Sequence, residues 1–306
     1  MVAFVLRRFA SLVVVLFCVV TITFLLVRLA PGGPFSRERK IPEAIEKELL
    51  ARYKLDGTLW QQYTDYLGDL ARGDLRLSTK FRDRSVNELI GQSLPVSLQV
   101  GVVAFLLATL GGIWLGSLAA VRQHSWVDTS AMLGALFAIS IPAFVTGPVL
   151  VLIFALKLRW LPVGGWTSWQ SLILPAVTLA GPYMAYIARL MRSSMLEVLS
   201  QDFVRTAQAK GLSPNAVLYK HALKVAILPV VSFLGPLAAN LLTGSIVIEA
   251  IFNIPGAGSF FVNSIINRDV FLLCGIVIVY CALLVVLNLV VDLAYTLLDR
   301  RIKLYG

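Results

Sequence analysis

Residues 270–291 read VFLLCGIVIVYCALLVVLNLVV, twenty-two positions without a charged side chain. About 20 apolar residues at ~1.5 Å each cross the ~30 Å hydrocarbon core of a bilayer as a helix. Working outward, charge-free runs recur at 9–27, 89–121, 129–156, 160–188 and 225–248. The run at 160–188 opens with a polar, Trp- and Gly-rich stretch, Leu161 to Ser171, so its span is expected nearer 172–191. Six spans are predicted. The uncharged run 250–267 is broken by Asn253, Pro255, Gly256, Gly258, Asn263 and Asn267 and is expected to be a loop with at most a short re-entrant or interfacial element. Over the 306 residues, 58% are hydrophobic and only 14% charged, against about 25% charged in soluble domains. An all-α polytopic membrane protein is the class that remains.

Charge then sets orientation. Arg7, Arg8, Arg122, Arg189, Arg192, Arg205, Lys210, Lys220, Lys224, Arg300, Arg301 and Lys303 fall on one side of a six-span chain, and Lys157, Arg159 and Arg268 on the other. Twelve against three places both termini on the cytoplasmic side. The net charge of +10 is thereby mostly topology, and nucleic-acid binding loses its motivation. Arg7 and Arg8 resemble the start of a signal peptide. However, the 19 uncharged residues that follow exceed a typical apolar core of ~7–15, so a retained first span is expected. Cys18, Cys274 and Cys281 all lie in spans and read as packing residues.

The pattern divides the chain into residues 1–30 (terminus and first span), 31–94 (an extracytoplasmic segment) and 95–306 (five further spans). In 31–94, Ile45, Leu49 and Tyr53 recur at helical spacing after Pro42. Asp56-Gly57 makes a turn, and Thr58-Leu59-Trp60-Gln61 reads as a capping box opening a helix with Trp60, Tyr63, Leu67 and Leu70 on one face. Ser85-Val86-Asn87-Glu88 reads as a second box. That aromatic face either covers its own segment or docks an external partner.

Pro142, Pro148, Pro175, Pro182, Pro229 and Pro236 lie within spans, where neighbours or water can satisfy freed carbonyls. Gly112 and Gly116 form a small-xxx-small pair suited to close helix packing. Arg28, Arg189, Glu249 and Asp292 lie near span ends, where interfacial placement explains them, and no carboxylate or His suggests a mid-membrane proton relay. His124 and His221 belong to inside loops, so no intramembrane metal site is expected. There is no Gly-Lys dipeptide for a phosphate loop, no G-x-S-x-G and no H-E-x-x-H. No catalytic residue and no cofactor are expected in this chain.

The longest inside loop, 192–224, is the informative one. Met195 to Lys210 reads as one helix with Met195, Leu199, Phe203 and Thr206 in a stripe, ended by Gly211. Ser213 caps a second helix whose first residue is Pro214 and which carries Val217, Leu218, His221, Ala222 and Val225. Two short helices around a tight corner, with basic flanks, suit either a lever for a cytoplasmic partner or an interfacial hairpin.

Arg205-Thr206-Ala207-Gln208-Ala209-Lys210-Gly211-Leu212, followed by His221-Ala222-Leu223-Lys224 and Leu228-Pro229, resembles the coupling loop of ABC-importer permeases in its dipeptide/oligopeptide form. The resemblance extends through Arg28-Leu29-Ala30-Pro31-Gly32, Gly73-Asp74-Leu75, Leu94-Pro95-Val96-Ser97-Leu98 and Ser140-Ile141-Pro142-Ala143-Phe144. It continues through Trp160-Leu161-Pro162-Val163-Gly164-Gly165-Trp166, Val247-Ile248-Glu249-Ala250-Ile251-Phe252, Pro255-Gly256 and Asn267-Arg268-Asp269. The general motif begins Glu-Ala-Ala where this chain has Arg205, Thr206 and Ala207, a departure usual in the peptide branch.

The resemblance implies a type I ABC-importer permease fold in a bacterial inner membrane. A homologous second permease would complete the path, two cytoplasmic ATPases would bind ATP and Mg, and an extracytoplasmic protein would deliver peptide. Arg205, Thr206, Ala207, Ala209, Lys210, Gly211, Leu212, Ser213 and Pro214 would meet an ATPase, with His221 and Lys224 supporting the second helix. Trp60, Tyr63, Glu249, Arg268 and Asp269 become candidates for a gate or for contact with the delivering protein. Nickel chelates or murein peptides would suit the same machinery, and an autonomous carrier is the rival from another class.

Overall fold

Hydrocarbon offers no hydrogen-bond partner to a peptide group, so a chain with these apolar runs crosses it as helix. The computed structural model describes residues 2–29, 43–242 and 245–298, and among them it contains helices, loops and one isolated bridge, Leu77 to Ser85, but no strand. Pro31, Gly32, Gly33, Pro34, Pro42, Arg300, Arg301 and Lys303 lie outside the described residues. In chain order the helices are α1 Val2–Leu29, α2 Glu43–Arg52, α3 Leu59–Ala71, α4 Val86–Val121, α5 Trp126–Ser140, α6 Ala143–Leu150 and α7 Ile173–Leu199. After these come α8 Asp202–Ala209, α9 Pro214–Ala216, α10 Leu223–Ala226, α11 Leu228–Leu242, α12 Ile246–Ile251, α13 Ala257–Asn267 and α14 Val270–Leu298. Wider, π-helical turns prolong α6 over Val151–Lys157 and join α9 to α10 over Val217–Ala222.

Five stretches are long and apolar enough to cross a membrane: Ala10–Leu29, Val86–Val121, Trp169–Leu199, Leu228–Ile251 and Val270–Val290. The sixth predicted run is not one rod. Helices Trp126–Ser140 and Ala143–Lys157 meet at 108°. Pro142 causes this: its ring disfavours helical backbone at the preceding residue, and Ile141 is extended at φ −91°, ψ 120°. Two further expectations need correction. Run 250–267 is helix, α13, from Ala257 to Asn267, with Asn263 and Asn267 exposed and Ala257, Gly258 and Ser264 buried. The helix expected over 195–210 breaks at Ser200-Gln201, so Met195 is wholly buried at the end of α7 while Phe203 and Thr206 lie exposed on α8.

The chain forms two units, residues 2–29, 43–96 and 256–286 in one and 97–242, 245–255 and 287–298 in the other. In the first, α3 begins with both halves of the Thr58 capping box: Thr58 Oγ1 accepts from Gln61 N–H, and Gln61 Oε1 accepts from Thr58 N–H at 3.0 Å. The Ser85 box is only half made. Ser85 Oγ accepts from Glu88 N–H, but the Glu88 carboxylate is drawn to Arg84 at 2.8 Å and to Gln92. Tyr63, Leu67 and Leu70 pack on the core formed by Phe24, Tyr66, Val86, Leu89 and Phe271, so the aromatic face covers its own segment. Burial of each such side chain from water stabilises by ~1.5–3 kcal/mol. Beside this core Asp69 accepts from Arg76 Nε at 2.8 Å and from Lys54 Nζ at 3.2 Å.

In the second unit α7 is central, packed by α5, α6, α10 and α11. The Gly112–Gly116 pair does what small residues do between membrane helices. A Cβ on Gly112 would stand 2.6 Å from Ile187 Cβ, and one on Gly116 2.7 Å from Met191 Cβ and against the Ala188 carbonyl. All three cysteines are free; Cys274 is buried, whereas Cys18 is exposed on α1 rather than packed.

Two predictions follow from these contacts. Gly116→Ala should destabilise the purified chain in detergent by about 1–3 kcal/mol through overpacking, whereas Gly134→Ala, with nothing within 4 Å of the added carbon, should be neutral or slightly stabilising. Equal thermal shifts for both would remove close packing as the reason for Gly116. The second concerns Asp69. Burial would raise its pKa, but hydrogen bonds from Lys54 and Arg76 outweigh burial and hold it below the usual carboxylate range. A carboxyl depressed in the folded state contributes stability that is present above its unfolded pKa of ~3.9 and is lost as pH falls through the folded value. Thermal unfolding should therefore show Asp69→Asn less stable than the native chain at pH above ~3.9, with the gap closing in stronger acid. A gap constant with pH would contradict this.

Candidate functional site

The loop 192–224 is built as a hard corner. Helix α7 ends at Leu199, and α8 starts two residues later with Val204 and Ala207 turned inward. Gly211 has φ +79°, its N–H donates to Gln208 O at 2.9 Å, and Leu212 N–H reaches back to Ala207 O at 3.4 Å. Those two bonds make a Schellman termination, which a glycine in left-handed conformation permits without strain. Ser213 Oγ then accepts from Ala216 N–H at 3.3 Å, and Pro214 occupies the first turn. The sequence-derived corner is present in each part.

Exposure sorts the predicted coupling residues. Arg205, Thr206, Ala209, Lys210, Gly211, Leu212, Ser213, Pro214, His221 and Lys224 are exposed and form the free surface of the corner, together with Tyr219. Ala207 is the exception. At 6% exposure it packs inward, so it holds α8 in place rather than offering a contact. His221 and Lys224 are likewise on the surface, and the inward residues of the second helix are Val217, Ala222 and Ala226.

What anchors the corner was not legible from motif spacing. Arg192, seven residues before the end of α7, grips Asp128 with Nε to Oδ1 at 2.5 Å and Nη2 to Oδ2 at 2.7 Å. Asp128 is 4% exposed, accepts also from His124 N–H at 3.0 Å, and sits in the first turn of α5, capped by Ser125. A bidentate guanidinium–carboxylate pair fixes relative orientation as well as distance. The helix that feeds the corner is thereby tied to α5. Ser125 three residues before Asp128, facing a basic span end, was the available signal.

In the second candidate group Trp60, Tyr63, Arg268 and Asp269 belong to the first unit and Glu249 to the second. Trp60 is 72% exposed, but Tyr63 is half-buried, with its hydroxyl 2.7 Å from Thr21 Oγ1 and its ring 5.3 Å from Phe24. Arg268 takes left-handed backbone, φ 57°, at the end of α13, where Asp269 N–H returns to Ser264 O at 2.8 Å. Asp269 is 1% exposed and accepts from Ser78 Oγ, Thr79 N–H and Leu272 N–H, which fastens the start of α14 to the loop after α3. Glu249 belongs to the other unit. It is 2% exposed, not interfacial as its place near a span end suggested, and accepts from Ser97 Oγ at 2.6 Å. A carboxylate kept from water is held where a hydroxyl can reach it, and α4 supplies that hydroxyl. Asn253 closes α12 by the same left-handed device, with Ile254 N–H donating to Glu249 O at 2.9 Å, and Gly165 N–H meets Phe252 O at 2.8 Å. Two of the family-like stretches, 160–166 and 247–252, therefore touch. Among the described residues no three of His, Cys, Asp and Glu stand together as a metal site.

Residues 112–304 match the family described as binding-protein-dependent transport system inner membrane component. The chain is 44% identical over 305 residues to the oligopeptide transport system permease protein OppB of Haemophilus influenzae, covering 99% of this chain and all of that one. OppB of Escherichia coli K12 gives the same identity and coverage, and the dipeptide transport system permease protein DppB of Bacillus subtilis is also 44% identical, over 100% of this chain and 99% of its own. Among solved structures, the MetNI methionine ABC transporter in an inward-facing conformation shares the fold, with a TM-score of 0.58 at 16% identity over 69% of this chain and 97% of the matched one. With that fold, and with relatives matched from end to end, the chain belongs to the binding-protein-dependent inner membrane permeases, in their dipeptide/oligopeptide family.

Proposed function

We propose that this chain is one membrane half of an ATP-driven importer of short peptides. A homologous permease forms the other half of the path, two cytoplasmic ATPases hold ATP and Mg, and an extracytoplasmic binding protein brings the cargo. The chain itself carries no chemistry and sits in the bacterial inner membrane with both termini cytoplasmic. The observation that supports this most is the exposed, rigid corner 202–222, closed by the Gly211 termination and rooted in α7. A lever must transmit displacement without bending, and a Schellman end followed by a serine cap leaves few soft dihedrals. Closure of the ATPases would push on Arg205 to Pro214. The Arg192–Asp128 pair would carry that push from α7 into α5.

Gly211 tests the lever. A side chain at φ +79° costs roughly 1–2 kcal/mol and a β-branched one more, although nothing lies within 4 Å to obstruct it. Gly211→Val should still assemble and hydrolyse ATP at a basal rate, yet fail to import peptide and fail to respond to the loaded binding protein. Normal import at matched protein level would defeat the lever reading. Orientation has its own check: cysteines placed at Thr58 and Ser213 should label from opposite sides of the membrane, and labelling from one side would overturn the topology.

A further inference from the structure

Arg76 is unusual for a residue in the outer loop. It adopts left-handed backbone, φ 69°, which costs a residue with a Cβ roughly 1–2 kcal/mol. The surrounding loop enforces it: Arg76 N–H donates to Asp74 Oδ1 at 2.8 Å, Arg76 O accepts from Val86 N–H at 2.9 Å, and Asn87 brackets Gly73 and Leu75. The side chain is then buried, at 7% exposure, with its guanidinium carbon 5.4 Å from the Tyr66 ring and 5.2 Å from the Phe271 ring. Only Nε is spent, on Asp69. Both terminal nitrogens, Nη1 and Nη2, are buried without an acceptor. Ring faces balance the charge of a guanidinium but do not accept its in-plane N–H groups as a carboxylate does.

Arg76 is one wall of a cavity of ≈160 Å³ that also touches Lys54, Asp69, Asp74 and Phe271. At ~30 Å³ per water, this is room for a few waters or for one carboxyl group with its stem. The two carboxylates present are already committed, Asp69 to Lys54 and Arg76 and Asp74 to the Arg76 backbone. Arg52, the third cation at the cavity, is held only by an exposed pair with Asp83. Strained backbone, a buried cation and two orphaned donors meeting at one small cavity are what an occupied anion site looks like without its anion.

We propose that this cavity is a carboxylate-binding site in which Arg76 Nη1 and Nη2 take both oxygens of the guest and Lys54 and Arg52 draw it in. A planar fork matches a carboxylate better than a spherical halide. The guest is either a free carboxylate from solution or an Asp or Glu side chain of a docked extracytoplasmic protein. The site chemistry stands apart from the import reading; only the protein source rests on it.

The test is backbone hydrogen exchange over residues 66–90 in the full assembled complex in nanodiscs, with sodium acetate compared with sodium chloride at equal ionic strength. Acetate should slow exchange around Arg76 where chloride does not, and Arg76→Gln should abolish the difference. Arg76→Lys keeps a cation beside Asp69 but loses the fork. It should raise the acetate midpoint roughly tenfold, and it serves as the readout if Arg76→Gln does not assemble. Equal exchange in the two salts, as a merely water-filled cavity would give, overturns the proposal. So does acetate protection that survives Arg76→Gln, or an unchanged midpoint in Arg76→Lys. Adding the binding protein instead of acetate separates the sources. Protection of the same amides in competition with acetate marks a side-chain guest, and protection by acetate alone marks a free one. Because exchange is read without transport, a failure here leaves the Gly211 result untouched.

Discussion

A membrane helix cannot simply stop inside hydrocarbon, because four N–H and four C=O groups at each end would be left without partners. Backbone groups at helix ends are satisfied in the loops as well, where many changes of direction among the described residues are made with a device that closes the helix on itself. Among the described residues five corners use the same left-handed termination, at Lys54, Gly73, Gly211, Asn253 and Arg268, and in each the residue after the corner returns its N–H to a carbonyl five positions back. Helix starts at Thr58, Ser85, Ser125, Ser213 and Ser245 are capped by a hydroxyl. The bend after Ser140 is the case where proline does the work.

Buried carboxylates form a second tier on this scaffold. Asp128, Glu249 and Asp269 are each nearly inaccessible and each receives a donor from a distant part of its own unit: Arg192, Ser97, and Ser78 with Thr79. Their role is to fix orientation, since breaking such a contact leaves an uncompensated buried charge, at a cost of about 3–5 kcal/mol for an ion pair. The helix that feeds the 202–222 corner, the start of α14 and the α4–α12 contact are held in this way.

The segment between α1 and α4 follows different physics because it is rich in charged side chains. Its apolar face is satisfied by Phe24 and Phe271, which makes it a folded cover, and Trp60 alone of its aromatic face stays out. Asp69, Lys54 and Arg76 lock its loop electrostatically, and the same lock leaves two guanidinium nitrogens buried without an acceptor.

The sequence by itself determined the helical class, the places where the chain crosses, the orientation bias and the local corners. All of these depend on neighbours a few residues apart: apolar run length, the side preferred by Arg and Lys, Gly211 followed by Ser213-Pro214. It misjudged continuity, reading 129–156 and 195–210 as unbroken and 250–267 as loop, because hydropathy does not register a lost or regained backbone hydrogen bond. Only the tertiary structure decided which charges are interior. Asp128 and Arg192 are 64 positions apart and Ser97 and Glu249 are 152 apart. No local pattern specifies such a pairing, since it is set by which helices pack against one another.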